Sequence, residues 1–273
     1  MTALSFAAAQ LLRVLPREKI SRAMGRLADK RWPQPVGRTV VDAYCKLYGI
    51  DLDDYAQSDW PSFDSFFTRS LRHGARPLAT AEDVAVSPAD GRLESLSRID
   101  DASTFLVKGR PYSTHELLGE DAPRFAGGAG CVVYLSPRDY HRVHSPVTGT
   151  IRKVHSMPGD YYPVNAIGLR HVPNLFVRNR RVAIFVDTPA GQVAVVMVVA
   201  IVVGRITVTG IDAWDVPIGT HELSLHVARG DELGIFHLGS TAVVLFERGC
   251  FDRWLSAEGP IRFGAPLVAG SPA

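Results

Sequence analysis

Cysteine is scarce and scattered in this chain: Cys45, Cys131 and Cys250 are the only three, and none belongs to a C-x-x-C pair. An odd, widely spaced set supports neither a disulfide framework nor a thiolate zinc site, and it predicts a reducing, cytosol-facing setting. Long apolar runs are missing as well. The strongest, Val193 to Val203, falls short of the ~20 residues of a spanning helix and is heavily β-branched, so it predicts one or two buried strands. The N-terminus lacks the basic cluster, apolar core and small-residue cleavage site of a secretory leader. An excess of one charge is absent too: the formal net charge is +2 and no long Lys/Arg block occurs, which argues against nucleic acid as a partner. What is present is ordinary globular usage, 46% apolar and 21% charged over 273 residues, enough for one large core or two coupled lobes.

The chain has two textures. From Ala3 to about Arg72 the spacing is helical: Leu4, Ala8, Leu11, Leu12 and Leu15 share a face until Pro16, and Ile20, Met24 and Leu27 resume it. Residues 1–31 hold seven bases, Arg13, Arg17, Lys19, Arg22, Arg26, Lys30 and Arg31, against two acids, Glu18 and Asp29. Bases beside an apolar stripe suit a helix lying on an anionic membrane, or an ordinary amphipathic helix packed on its own domain. From Pro77 onward short apolar runs alternate with Gly, Pro, Asp and Ser, the texture of a β-rich body. Within it, SPADGRL at Ser87 and SPVTGTI at Ser145 share the frame Ser-Pro-x-x-Gly-x-aliphatic, read as two related, lipoyl-like β-units or as chance recurrence of turn chemistry. The expected fold class is α+β: an amphipathic helical region, residues 1–75, followed by a β-rich body, residues 76–273.

The densest polar constellation is SPRDYHRVHSP, where His141 and His144 lie three apart beside Asp139, Tyr140 and Arg142. A metal pair, structural histidines at strand ends, and acid/base work are the three readings of that segment. A base needs a target, and Ser240 in LGST offers one, set between two runs that read as buried strands. It has no G-x-S-x-G elbow around it. Its nearest electrophile is the preceding Gly239 carbonyl, which its hydroxyl reaches by ring closure without a second molecule. Such an attack needs a base, a carboxylate to orient that base, and donors for the oxyanion. Asp90, in the turn SPADG, is the first carboxylate to choose.

LGST followed by a short apolar tail, SPADG and DYHRVHSP upstream in that order, LFVRNRRV between them, and SFDSFFTRSLR with RPL together resemble the phosphatidylserine decarboxylase proenzymes of the bacterial, membrane-associated type. The resemblance implies a chain that cuts itself between Gly239 and Ser240 into a large chain, 1–239, and a small chain, 240–273, which stay associated. It implies that Asp90, His144 and Ser240 form the self-cleaving triad. Ser240 becomes a covalent pyruvoyl group, the only cofactor implied, and takes the substrate amine as a Schiff base. His141 then delivers the proton in decarboxylation of phosphatidylserine to phosphatidylethanolamine and CO2. The implied setting is the cytoplasmic side of the cell membrane, as a peripheral protein on an anionic surface, with no metal and with homo-oligomers allowed. One departure from the pattern is His237, where the family favours other, often polar or basic, residues. A lipoyl- or biotinyl-type carrier, a soluble pyruvoyl decarboxylase of amino acids and a conventional serine hydrolase are the rival classes. Only the pyruvoyl classes give two chains with a modified small-chain N-terminus.

Overall fold

A computed structural model describes residues 15–164, 166–202 and 204–270. The helical face expected from Leu4 to Leu12, and Arg13, lie outside these residues. Helix α1 (Arg17–Ala28) begins directly after Pro16, where a missing N–H costs nothing, and buries Arg17, Ser21, Gly25 and Ala28 against the body. That buried stripe is small because the approach is close: a Cβ on Gly25 would lie 2.8 Å from Gly204 Cα. The apolar positions are left less covered: Ile20 is half-buried, Met24 is exposed, and Leu27 is 58% exposed. Helix α1 thus packs on its own domain, but through Arg17 and small residues rather than through Leu27 and its neighbours. Arg17, counted above among the bases facing an anionic surface, is instead buried. It grips Asp160 at two points, 2.7 and 2.5 Å, and lies over the Tyr162 ring.

Helix α2 (Gln34–Tyr48) has Pro35 in its first turn and ends at Gly49, whose φ of 64° is open to a residue without a Cβ. It buries Val41 beside Trp60 and Phe66 and leaves Val36, Val40 and Leu47 outward, Leu47 at 75% exposure. Helix α3 (Phe63–Phe67) is a single turn held by a capping box between Ser62 and Ser65.

The body runs β1 (Val84–Val86), β2 (Gly91–Arg98), β3 (Thr104–Val107), β4 (Arg110–Ser113), β5 (Ala129–Leu135), β6 (Arg142–His144), β7 (Gly149–Met157), β8 (Arg181–Thr188), β9 (Gly191–Val199), β10 (Arg205–Val208), β11 (Gly219–Val227), β12 (Glu232–His237), β13 (Ser240–Phe246), β14 (Arg253–Trp254), β15 (Gly259–Ile261) and β16 (Pro266–Ala269). An eight-stranded antiparallel sheet has the order β11-β7-β8-β9-β13-β5-β2-β15. Smaller sheets β10-β12-β6, β1-β16-β14 and β3-β4 complete the α+β architecture. The apolar run at Val193 forms β9, buried from Gln192 to Val199, which explains why it shows no polar alternation.

The two Ser-Pro-x-x-Gly frames have matching local geometry. Ser87 Oγ donates to the Ala89 carbonyl and Ser145 Oγ to the Val147 carbonyl. The turns also exchange backbone bonds reciprocally: Val86 N–H donates to Pro146 O, and His144 N–H to Pro88 O, at 2.9 and 2.8 Å. Each frame's glycine opens a strand where a Cβ would overlap a carbonyl oxygen, Tyr134 for Gly91 and Asp187 for Gly149. The shared frame thus reflects a local two-fold relation between the turns. In that relation Asp90 corresponds to Thr148, and His144 to Val86.

Candidate active site

Only Leu238 and Gly239 join β12, in one sheet, to β13, at the centre of another. Both take positive φ, 81° for Leu238 and 67° for Gly239. Ser240 enters β13 with its backbone paired to Leu135 on one side and Val199 on the other. The serine singled out by sequence thus stands at the first residue of a central strand, directly after a sharp change of direction.

His141 meets this junction. It is completely buried, packed on Phe67 with ring centroids 4.0 Å apart and the rings tilted by 38°, and its Nε2 lies 3.6 Å from where a Cβ on Gly239 would be. Neither ring nitrogen makes a hydrogen bond of good geometry among the described residues, the Asp139 backbone being the ring's one polar influence of that kind. Burial, with the nearby Arg69 cation acting in the same direction, pushes its pKa down to about 3, so the ring is neutral at physiological pH. Arg69 is itself fully buried, over the Tyr55 and Phe66 rings, and donates to Tyr55 Oη and the Arg138 carbonyl.

His144 and Asp90 form a separate cluster. His144 Nδ1 lies 2.8 Å from the Gly230 carbonyl, which can only accept, so Nδ1 carries the proton. Nε2 then accepts from Tyr140 Oη at 3.0 Å. The ring stacks on Phe263 at 3.8 Å, and burial lowers its pKa against the opposing pull of the Gly230 carbonyl and the charges of Glu232 and Asp90. Asp90 is held by Arg76 from Nε at 3.1 Å and Nη2 at 2.7 Å, and by the Phe263 N–H at 2.8 Å. The Arg76 pKa is raised: burial would lower it, but hydrogen bonds and charge from Asp90 and Asp54 outweigh that. Asp90 and His144 thus flank Phe263 without a hydrogen bond between them among the described residues. The structure brings His141 to Gly239, and it brings Asp90 near His144.

Several side chains that border the site had no role assigned from sequence. Asp64, on α3, receives His237 Nδ1–H at 2.8 and 2.9 Å and Arg205 Nη2 at 3.0 Å. Phe67, on the same turn, touches both His141 and the Gly239 position. Asp64 and Phe67 were visible only as letters of SFDSFF, since nothing in local spacing connects them to a junction about 170 residues later. Tyr140 had a signal, its place directly before His141. An apolar cavity of about 410 Å³ borders Gly239 and is lined by Met24, Tyr48, Phe67, Leu135, Val202 and Leu238 among others. Helix α1 contributes Met24 to this lining and α2 contributes Tyr44 and Tyr48.

Comparison with known proteins shows the family. The family model described as phosphatidylserine decarboxylase matches residues 63–269. The phosphatidylserine decarboxylase proenzyme of Bordetella pertussis is 39% identical over 285 residues, covering 96% of this chain and 93% of that protein. The proenzyme of the same name from Acinetobacter baylyi is 41% identical over 264 residues, covering 93% and 92%. That of Shewanella sp. strain ANA-3 is 39% identical, covering 90% and 89%. With the family model matching most of the chain and relatives of about 40% identity aligned along nearly its whole length, the protein belongs to the phosphatidylserine decarboxylase family and is a decarboxylase.

Proposed function

We propose that the chain is a proenzyme that cuts itself between Gly239 and Ser240, converts Ser240 to a pyruvoyl group, and decarboxylates phosphatidylserine to phosphatidylethanolamine at an anionic membrane surface. The observation that carries this reading is the Leu238-Gly239 turn: both residues line an apolar cavity, so the bond before Ser240 borders it, and His141 lies against Gly239. In the cleavage step the Ser240 hydroxyl adds to the Gly239 carbonyl carbon and the C–N bond breaks, the freed amine taking a proton. Loss of the Ser240 α-proton then expels the Gly239 carboxylate, and water converts the resulting dehydroalanine to a ketone with release of ammonia.

Asp90 and His144 are assigned to the cleavage step with Ser240. The Asp90 charge favours protonated His144, as required of a group that orients a base. Presenting the base nitrogen to Ser240 requires His144 Nε2 to exchange its bond with Tyr140. His141 is assigned to decarboxylation, and its unpaired nitrogens beside Gly239 fit a group that holds a proton at the reacting carbon. The same unpartnered nitrogens and the apolar cavity fit a ketone at position 240. When present, that group supplies the electron sink for the departing carboxylate.

Exposed side chains on the two helices support the membrane half of the reading. Leu27 on α1 and Val36, Val40 and Leu47 on α2 are exposed, Met24 is exposed at the rim of the cavity, and Lys19, Arg22, Arg26, Lys30 and Arg31 are exposed beside them. Among the described residues no helix is long and apolar enough to cross a membrane. A helical docking region, 1–75, and a catalytic body of two lipoyl-like units, 76–273, remain the proposed division. Denaturing gel and intact mass of the purified protein test the reading: two chains with a ketone on the smaller are expected, and one chain retaining its serine would overturn it.

A further inference from the structure

The buried cluster next to the junction has no part in the roles assigned above. His237 is the last residue of β12 and pairs across to Arg205 on β10. Strand alternation puts Arg205 and Thr207 on one face with it, and all three side chains converge beneath α3. His237 Nδ1–H donates to the Asp64 carboxylate, its Nε2 meets Thr207 Oγ1 at 3.1 Å, and Arg205 bridges Asp64 to Asp29 at the end of α1. All but Asp29 among the charged members are buried. The backbone is held as well, because Gly204 N–H donates to the His237 carbonyl at 2.9 Å.

This clamp fixes the chain one residue before Leu238, and the pairing of Ser240 to Leu135 and Val199 fixes it one residue after Gly239. The change of direction is therefore confined to two residues. Leu238 is not a glycine, yet it takes φ of 81° while its side chain is buried beside Ala28 and Phe67. A left-handed backbone is costly for any residue with a Cβ, and it persists only where the surroundings over-determine it. Opening the bond after Gly239 frees the downstream restraint and lets Leu238 relax.

We infer that Asp64, His237 and Arg205 are positioning residues for self-cleavage: they hold Leu238 and Gly239 in a strained turn that is released when the Gly239-Ser240 bond opens. This rests on the self-cleavage reading above. It differs from a role in folding alone, because it predicts a loss of maturation rate without a loss of turnover once mature.

The test follows freshly translated chain on denaturing gels and measures the half-time of conversion to two chains. His237→Leu removes the bond to Asp64 and should lengthen the half-time at least about tenfold. His237→Asn, whose amide can donate from the place of Nδ1, should stay within about threefold of wild type. Leu238→Asn, which tolerates the left-handed region, should slow maturation about three- to tenfold by lowering the strain. Matured His237→Leu protein should decarboxylate at the wild-type rate per ketone, within about threefold. Maturation of His237→Leu or Leu238→Asn at the wild-type rate overturns the proposal, as does a loss of turnover per ketone matching the loss of maturation rate. Should His237→Leu fail to fold, Leu238→Asn decides alone. Ser240→Ala separates the two claims: cutting of that variant sinks the self-cleavage reading itself, whereas its failure to cut, beside normal maturation of His237→Leu, sinks only the clamp.

Discussion

His141 Nε2 lies 3.6 Å from the point where Gly239 would carry a Cβ, while His144, three residues on, spends both ring nitrogens on Gly230 and Tyr140. The two imidazoles of one short motif therefore occupy different environments, one facing the junction and one beside Asp90. Different environments predict separable phenotypes. His141→Ala should still give two chains with a detectable ketone, and phosphatidylserine turnover should drop by roughly 10²- to 10⁴-fold. His144→Ala should accumulate uncut chain without ketone. The opposite pattern on the gel would reverse the two assignments.

Ser240→Ala should remain a single chain, and Asp90→Asn should slow or block cutting, because the neutral amide no longer favours a protonated His144. Since Arg76 also loses its main counter-ion, the Asp90→Asn result is read against thermal unfolding of the same protein. Fast cutting in a folded Asp90→Asn chain would remove Asp90 from the mechanism.

Surface bases and the buried base on α1 should behave differently. Replacing Lys19, Arg22, Arg26, Lys30 and Arg31 by Gln should leave self-cleavage intact and weaken flotation with anionic vesicles, and the residual binding should be less salt-sensitive. Arg17→Gln should instead lower stability by about 1–3 kcal/mol, since it leaves a part-buried Asp160 without its partner. Equal vesicle binding before and after the five-fold replacement would return the helices to a purely structural role.

The depressed pKa of His141 has a consequence for acid stability. The folded ring resists protonation down to about 3, whereas the unfolded ring takes up a proton near its ordinary 6.5. The unfolded state therefore binds more protons in that window, so the stability this site contributes is complete above about 6.5 and is lost as pH falls. In the uncut Ser240→Ala background, His141→Gln should reduce the pH dependence of denaturant-measured stability by about 1.4 kcal/mol per pH unit between about pH 5.5 and 4.5. An unchanged slope would mean that the ring titrates freely in the fold.

Much of this molecule is local information. The β-branched run at Val193 specifies a buried strand, Gly and Pro specify where strands turn, and Pro16 and Pro35 mark helix starts. The equivalence of Ser87 and Ser145 was legible because each serine closes its own turn within two residues. Ser240, His141, His144 and Asp90 stood out because their motifs are short and ordered along the chain. Their mutual placement was not legible, since side-chain direction depends on which sheet each strand joins.

Three features were decided only by tertiary structure. Leu27 on α1 is left exposed because Gly25 meets Gly204 on the packed face, a contact between residues that share no local pattern. Arg17 is a structural residue because Asp160 comes to it from another part of the chain. His237, which by sequence merely departs from a family pattern, gains a partner in Asp64 because α3 is laid across the end of β12. Composition and periodicity fix what a segment can become. Which groups are then left buried, charged and facing one another depends on long-range packing, which no window of sequence contains.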